Sequence, residues 1–204
     1  MRALDPSQIG YSEIYKLMIG LIVPRPIAFV SSLDPAGIRN LAPFSYFTAC
    51  GSNPPAVCFC ASVRTGPLRP YKDTLYNVEA TGEFVVNIVS EEIAAQMNAA
   101  SAEVPLDVDE FVLSGLTPIA SDLVKPPRVA ESKAQMECRL IQTIHVSDKP
   151  GGGVLVLGEV LRFHVLESVL DGFKIDPDEL RAIGRMGGPT YVRTSDRFDM
   201  QRPK

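Results

Sequence analysis

No stretch of this 204-residue chain approaches the roughly 20 consecutive apolar residues that a membrane-crossing helix needs, so a helical span is excluded. The first residues also lack the basic-then-apolar order of a signal peptide, and a cytoplasmic protein is expected. Neither a Walker A sequence nor a G-x-G-x-x-G fingerprint occurs, so any nucleotide is held by another kind of loop. Positive charge is scarce: 20 Lys and Arg stand against 24 Asp and Glu, a net charge of -4. That leaves no basic footprint for nucleic acid. Arg193, Arg197, Arg202 and Lys204 cluster near the end, but acids lie among them, and a solvated terminus is expected.

Histidine and cysteine are sparse too. His145 and His164 are far apart in sequence and are read as hydrogen-bonded strand residues. The four cysteines contain no C-x-x-C pair, and no metal site is expected. Cys58 and Cys60 are two apart on an expected strand, so their side chains run parallel, a poor geometry for a disulfide between them. Cys50 and Cys138 are isolated, and buried reduced thiols are the default expectation. There is no nucleophilic triad motif and no pair of catalytic carboxylates, so no catalytic residue is assigned.

Apolar residues make up 46% and charged residues 22%, the balance of an ordinary soluble globule. The length suits one domain, residues 1–204, with a core at about 20–193. Ser12 is placed as the cap of a short helix ending near Gly20, with Ile14, Leu17 and Met18 on one face. Pro24 and Pro26 launch an extended run over 27–32. Asp34-Pro35-Ala36-Gly37 reads as a turn, and 38–45 returns as the partner strand. Residues 56–63 are apolar on both faces and read as a central strand. A helix is expected from Thr74, stopped by Gly82. Strand 83–89 follows, then a second helix from Ser90 to about Ala99. Residues 101–132 read as a long surface excursion, of the length that often carries function or a subunit contact. Strands 133–147 and 154–167 are joined by a Gly-rich hairpin turn, one helical turn spans 177–180, and 184–193 reads as irregular. Five or six hairpin-connected strands with short helices predict a closed antiparallel barrel.

The stretch from Asn40 to Thr74 carries the chemistry. Ser62, Arg64, Lys72 and Thr74 combine two hydroxyls, a guanidinium fork and an ammonium, the parts of a phosphate site. Thr74 stands where a helix begins, so free backbone N–H groups can join in. The alternative is a helix cap beside two surface cations. Asp73 is expected to cap the helix or orient Lys72. Ala42, Pro43, Phe44, Ser45 and Tyr46 form a strand edge whose backbone can meet the rim of a flat ring system, unless the aromatics are plain core and surface residues. Arg25, between two prolines, either faces that ring or pairs with an acid. Gly188 and Tyr191 permit close backbone approach, or form an ordinary turn.

Arg25-Pro26-Ile27-Ala28-Phe29-Val30-Ser31, Leu41-Ala42-Pro43-Phe44-Ser45, Pro54-Pro55, Lys72-Asp73-Thr74, residues 81–87 and Gly158-Glu159-Val160 occur in that order. Together they resemble the flavin reductase-like proteins of the FMN-binding split-barrel superfamily, over about residues 20–193. The resemblance implies a mainly β fold, a six-stranded antiparallel Greek-key split barrel with a few short helices. It also implies a homodimer with FMN at the interface. The phosphate would lie near 62–74, and Gly188 and Tyr191 near the flavin. The implied activity is NAD(P)H-dependent flavin reduction with hydride passed to flavin N5, NADH or NADPH being the donor. Electrons would then go to a small-molecule acceptor or a partner monooxygenase. An FMN-binding electron-transfer flavoprotein without its own NAD(P)H site is the alternative, and a heme- or flavin-sequestering module a third.

Overall fold

A computed structural model describes residues 1–64 and 69–203; Lys204 of the charged tail lies outside the described residues. In chain order the helices are α1 (Tyr11–Leu21), α2 (Asp73–Thr81), α3 (Ala94–Ala99), α4 (Glu110–Ser114) and α5 (Pro177–Leu180). The strands are β1 (Ala28–Leu33), β2 (Arg39–Phe44), β3 (Phe47–Ser52), β4 (Pro55–Ser62), β5 (Glu83–Ile88), β6 (Pro118–Ile119), β7 (Arg128–Val129), β8 (Ala134–His145), β9 (Gly153–Val165), β10 (Leu170–Asp171), β11 (Lys174–Ile175), β12 (Ile183–Arg185) and β13 (Tyr191–Arg193).

Seven strands build one antiparallel sheet in the order β2-β1-β5-β8-β9-β4-β3. The sheet curls around a core but its edges do not pair, so the barrel is split, not closed as the strand pattern predicts. This sheet holds one more strand than the six expected. The extra one is β3, which the sequence pattern missed because five of its six residues are exposed and small or polar. Alternation divides β1 between two cores. Ala28 and Val30 join Phe44, Phe59, Phe84 and Val156 inside the curl. Phe29, on the opposite face, joins Leu41, Met97, Phe111 and Val129 in a second cluster under α3 and α4.

Gly158 lets β9 approach the first core. A Cβ there would stand 2.3 Å from Phe84 Cζ, where a methyl cannot fit. Gly82 ends α2 in the left-handed conformation at φ 73°, which glycine adopts without steric cost.

Four other expectations are corrected. Gly10, not Ser12, caps α1. On α1 only Ile19 is buried; Leu17 and Met18 face outward. Residues 101–132 are more than a surface excursion. Phe111, Leu116 and Val129 are buried in the second core, although their spacing follows no helical or strand period. Residues 184–193 form a hairpin of β12 and β13.

Candidate functional site

β2 and β3 lie at opposite edges of the sheet, yet Ser45 and Tyr46 alone connect them. These two residues therefore cross the seam of the split barrel. Tyr46 O accepts from Cys60 N at 2.8 Å, which ties the crossing to β4. A seam cannot complete its ladder, so its backbone groups are open to other partners.

Two cavities flank this seam and share Pro43 and Ser101. The smaller, about 40 Å³, is lined by Ala42, Arg64, Lys72, Asp73, Thr74 and Glu110 among others. The larger, about 210 Å³, includes Tyr15, Arg25, Ser45, Gly188 and Tyr191. Most of the residues singled out in the sequence thus meet in one contiguous groove. Three side chains stand apart. Phe44 is buried in the core with its ring 4.8 Å from Phe59. Ser62 is exposed at the end of β4 opposite Gly153. Tyr46 is half-buried with Arg25 5.9 Å from its ring centre.

The small cavity is electrostatically unusual. Burial lowers the Lys72 ammonium from its ordinary value, and the neighbouring Arg64 cation lowers it further. Arg64 is nearly buried and donates to Asp73 Oδ2 at 3.1 Å and to Tyr71 O at 3.3 Å. Among the described residues its buried Nε has no partner. Asp73 also receives Arg69 Nε at 2.7 Å, so it orients cations rather than capping α2. Among the described residues no side chain caps α2 at Lys72. Two crowded cations, an orphaned donor and an uncapped helix start form a setting that an anion completes.

A buried polar network supports the floor. Thr74 Oγ donates to Asn40 Oδ1 at 2.6 Å, and Asn40 Nδ2 donates to Glu110 Oε1 at 2.9 Å. Glu110 also accepts from Leu41 N at 3.1 Å. Burial raises the Glu110 carboxyl above its usual range despite these donors. Sequence reasoning missed Asn40, Ser101 and Glu110. Glu110 comes from the excursion, 70 residues from Asn40, and no local pattern links the two.

Arg25 lines the larger cavity and, among the described residues, pairs with no acid. It is buried and donates to Ile19 O and Ile22 O at 2.7 Å, Met186 O at 3.0 Å and Ser45 Oγ at 3.4 Å. It thereby locks α1, the C-terminal hairpin and the seam together. Arg185 holds the far wall, bonding the Tyr191 hydroxyl and Gly188 O. Both histidines are hydrogen-bonded: His145 to Asp148 at 3.3 Å and His164 to Glu137 at 2.5 Å.

Asp122, Glu137 and His164 bring one ligand-type atom each within 4.8 Å of one another, a cluster not visible in the sequence. Each of the three also has a hydrogen-bond partner within the protein. Asp122 meets Arg162 at 2.6 Å, and Glu137 accepts from the N–H groups of Asp122, Leu123 and Val124. Among the described residues no helix is long and apolar enough to cross a membrane.

Residues 20–177 match the family model described as "Flavin reductase like domain". A protein of Aquifex aeolicus is 41% identical over 181 residues, 88% of this chain and 89% of its own length. Nitrilotriacetate monooxygenase component B from Bacillus cereus is 36% identical, with a TM-score of 0.92 over 98% of both chains. The 2-nitrobenzoate 2-nitroreductase of Pseudomonas fluorescens is 30% identical, with a TM-score of 0.88 over 99% of this chain and 96% of that one.

Proposed function

Because this chain belongs to the flavin reductase like family, we propose that it is an FMN-binding oxidoreductase that takes electrons from NADH or NADPH. The observation that carries the reading is the paired groove at the seam: a cationic end at Arg64 and Lys72 runs through Pro43 into a wider space at Ser45, Gly188 and Tyr191. That order suits a mononucleotide, with its phosphate at one end and its ring at the other.

Bound FMN would supply hydride and electron transfer through its ring, chemistry that asks no nucleophile of the protein. The residues here supply the rest. Arg64, Lys72 and the start of α2 would hold the phosphate charge. The strand edge at Ala42 and Pro43, with the Ser45 hydroxyl, would hydrogen-bond the ring rim. Arg25 keeps Ser45 in place through its four contacts. Donors fixed in this way stabilise negative charge without reorganising.

A second copy of the chain completes the site in this reading. Tyr11, Tyr15, Leu21 and Ile22 stand exposed on and beside α1, and Tyr15 lines the larger cavity. An apolar face of this kind beside a shallow groove suits a symmetric partner. The electrons then pass to a small-molecule acceptor or a partner monooxygenase; the similarity to a monooxygenase component supports the latter.

The decisive measurement is a visible spectrum of the purified protein with added FMN, followed by anaerobic NADH or NADPH. Loss of the oxidised-flavin band supports the reductase. A band that forms but ignores both nucleotides supports an electron-transfer flavoprotein without its own NAD(P)H site. No FMN binding at all overturns the flavin reading. Light scattering that shows a monomer overturns the dimer.

A further inference from the structure

A third cavity, of about 430 Å³, shares Asn40, Asp73 and Glu110 with the small cationic one and no residue with the ring-sized one. The cationic cavity is therefore the middle of three. α2 makes the second junction. Asp73 at its start lines the middle cavity, and Asp73, Tyr76, Asn77 and Ala80 line the third. These positions stand at i, i+3, i+4 and i+7, so they form one face of the helix. Seven residues of helix rise about 10 Å, so this wall runs away from the phosphate end for the length of a nucleoside. The cavity is of the size that small-molecule sites have, roughly 300–1,000 Å³.

Asp73 stands between two guanidiniums, one in each space. Its Oδ2 accepts from Arg64 at 3.1 Å in the middle cavity, and its Oδ1 accepts from Arg69 Nε at 2.7 Å in the third. Two guanidiniums and the Lys72 ammonium thus face one carboxylate at the junction, and positive charge is left over. We propose that this site takes FAD in preference to FMN. The flavin-side phosphate lies at Arg64 and Lys72, the adenylate phosphate at Arg69, and the adenosine in the third cavity. The inference rests on the flavin reading of the seam groove and extends it, because FMN fills only the first two cavities.

The lining suits a nucleoside. Ile38 and Leu106 are exposed apolar side chains that a purine would cover. Tyr76 adds an aromatic ring, the kind of surface on which a base stacks. Asp34 and Asp107 bring carboxylates, which accept from ribose hydroxyls as an acid does in dinucleotide folds. The same carboxylates repel a 2′-phosphate, which argues against the adenosine of NADPH. NADH fits this cavity poorly for another reason. Its nicotinamide must reach the ring at the far end of the groove, and its phosphates cannot share Arg64 and Lys72 with those of the flavin.

Calorimetric titration of the full chain with FMN and with FAD is the test. FAD is expected to bind roughly tenfold or more tightly than FMN, the effect of one stacked base. Ala80→Trp fills the third cavity from its α2 wall, and Asp107→Ala removes a ribose acceptor. Each is expected to weaken FAD binding by roughly tenfold, again the scale of one base contact, and to leave FMN binding unchanged. Both positions are exposed, and retained FMN binding reports that each variant is folded. FMN binding with no tighter binding of FAD overturns the inference and leaves the flavin reading standing. A preference for FAD that survives both substitutions places the adenosine elsewhere and overturns it as well. A chain that binds neither flavin overturns both.

Discussion

Arg64 Nη2 donates to Asp73 Oδ2 at 3.1 Å, while the buried Arg64 Nε has no partner among the described residues. Asp73 thus aims the guanidinium but leaves part of its donor capacity unused. With Lys72 on the same cavity wall, the site has cationic groups that its own carboxylates do not saturate.

Lys72→Ala and Arg64→Ala are each expected to weaken FMN binding by roughly 1.5–3 kcal/mol, the scale of a charge-assisted hydrogen bond. Riboflavin, which lacks the phosphate, should bind the wild type and both variants about equally. Fluorescence titration of the two ligands separates the effects. Unchanged FMN affinity in both variants removes the phosphate assignment.

Thr74→Val removes a buried donor to Asn40 and leaves the acceptor short of a partner. A loss of about 1–3 kcal/mol in unfolding free energy is expected, the cost of an unsatisfied buried polar group. Urea denaturation measures it. A neutral result would show that water or Ser32, 3.3 Å from Asn40 Oδ1, compensates.

Glu137 links acid stability to the fold. Burial pushes its carboxyl up, but the Asp122 N–H, the His164 contact and the Leu123 N–H outweigh burial and hold it below 4.5. A carboxyl with a lowered folded pKa adds stability above about pH 4.5, and that stability is lost as pH falls through the folded value. Glu137→Gln should therefore lower stability at pH 7 by roughly 1.5–3 kcal/mol for each charge-assisted bond lost. It should also flatten the acid limb of the stability curve. Thermal melts between pH 3 and 7 check both; an unchanged acid limb assigns acid sensitivity elsewhere.

Gly158→Ala places a methyl against Phe84, which is fully buried and has no room to withdraw. Overpacking of this kind costs typically about 1–3 kcal/mol. A denaturation midpoint equal to wild type would mean that β9 shifts to make room.

Much of the molecule was readable from local pattern. The Asp34–Gly37 turn, α2 with its Gly82 stop, and strands β1, β2, β4, β5, β8 and β9 follow from proline and glycine placement and from alternation. These signals act over a few residues, so a linear reading reaches them. β3 escaped because it is an edge strand whose residues are small and mostly exposed, so it lacks the apolar alternation that marks a strand.

Arg64, Lys72 and Thr74 were identifiable as residue types near a strand end and a helix start. Their shared cavity with Ala42 and Pro43 was not, nor were Asn40 and Glu110 beneath it. The same holds for Glu137 within reach of His164. Periodicity and turn chemistry are properties of neighbours along the chain, and they suffice to set the elements. Which elements meet depends on how a sheet curls, where it stays open, and which distant side chains then share one dielectric environment. Those are properties of neighbours in space, and they exist only once the chain has folded.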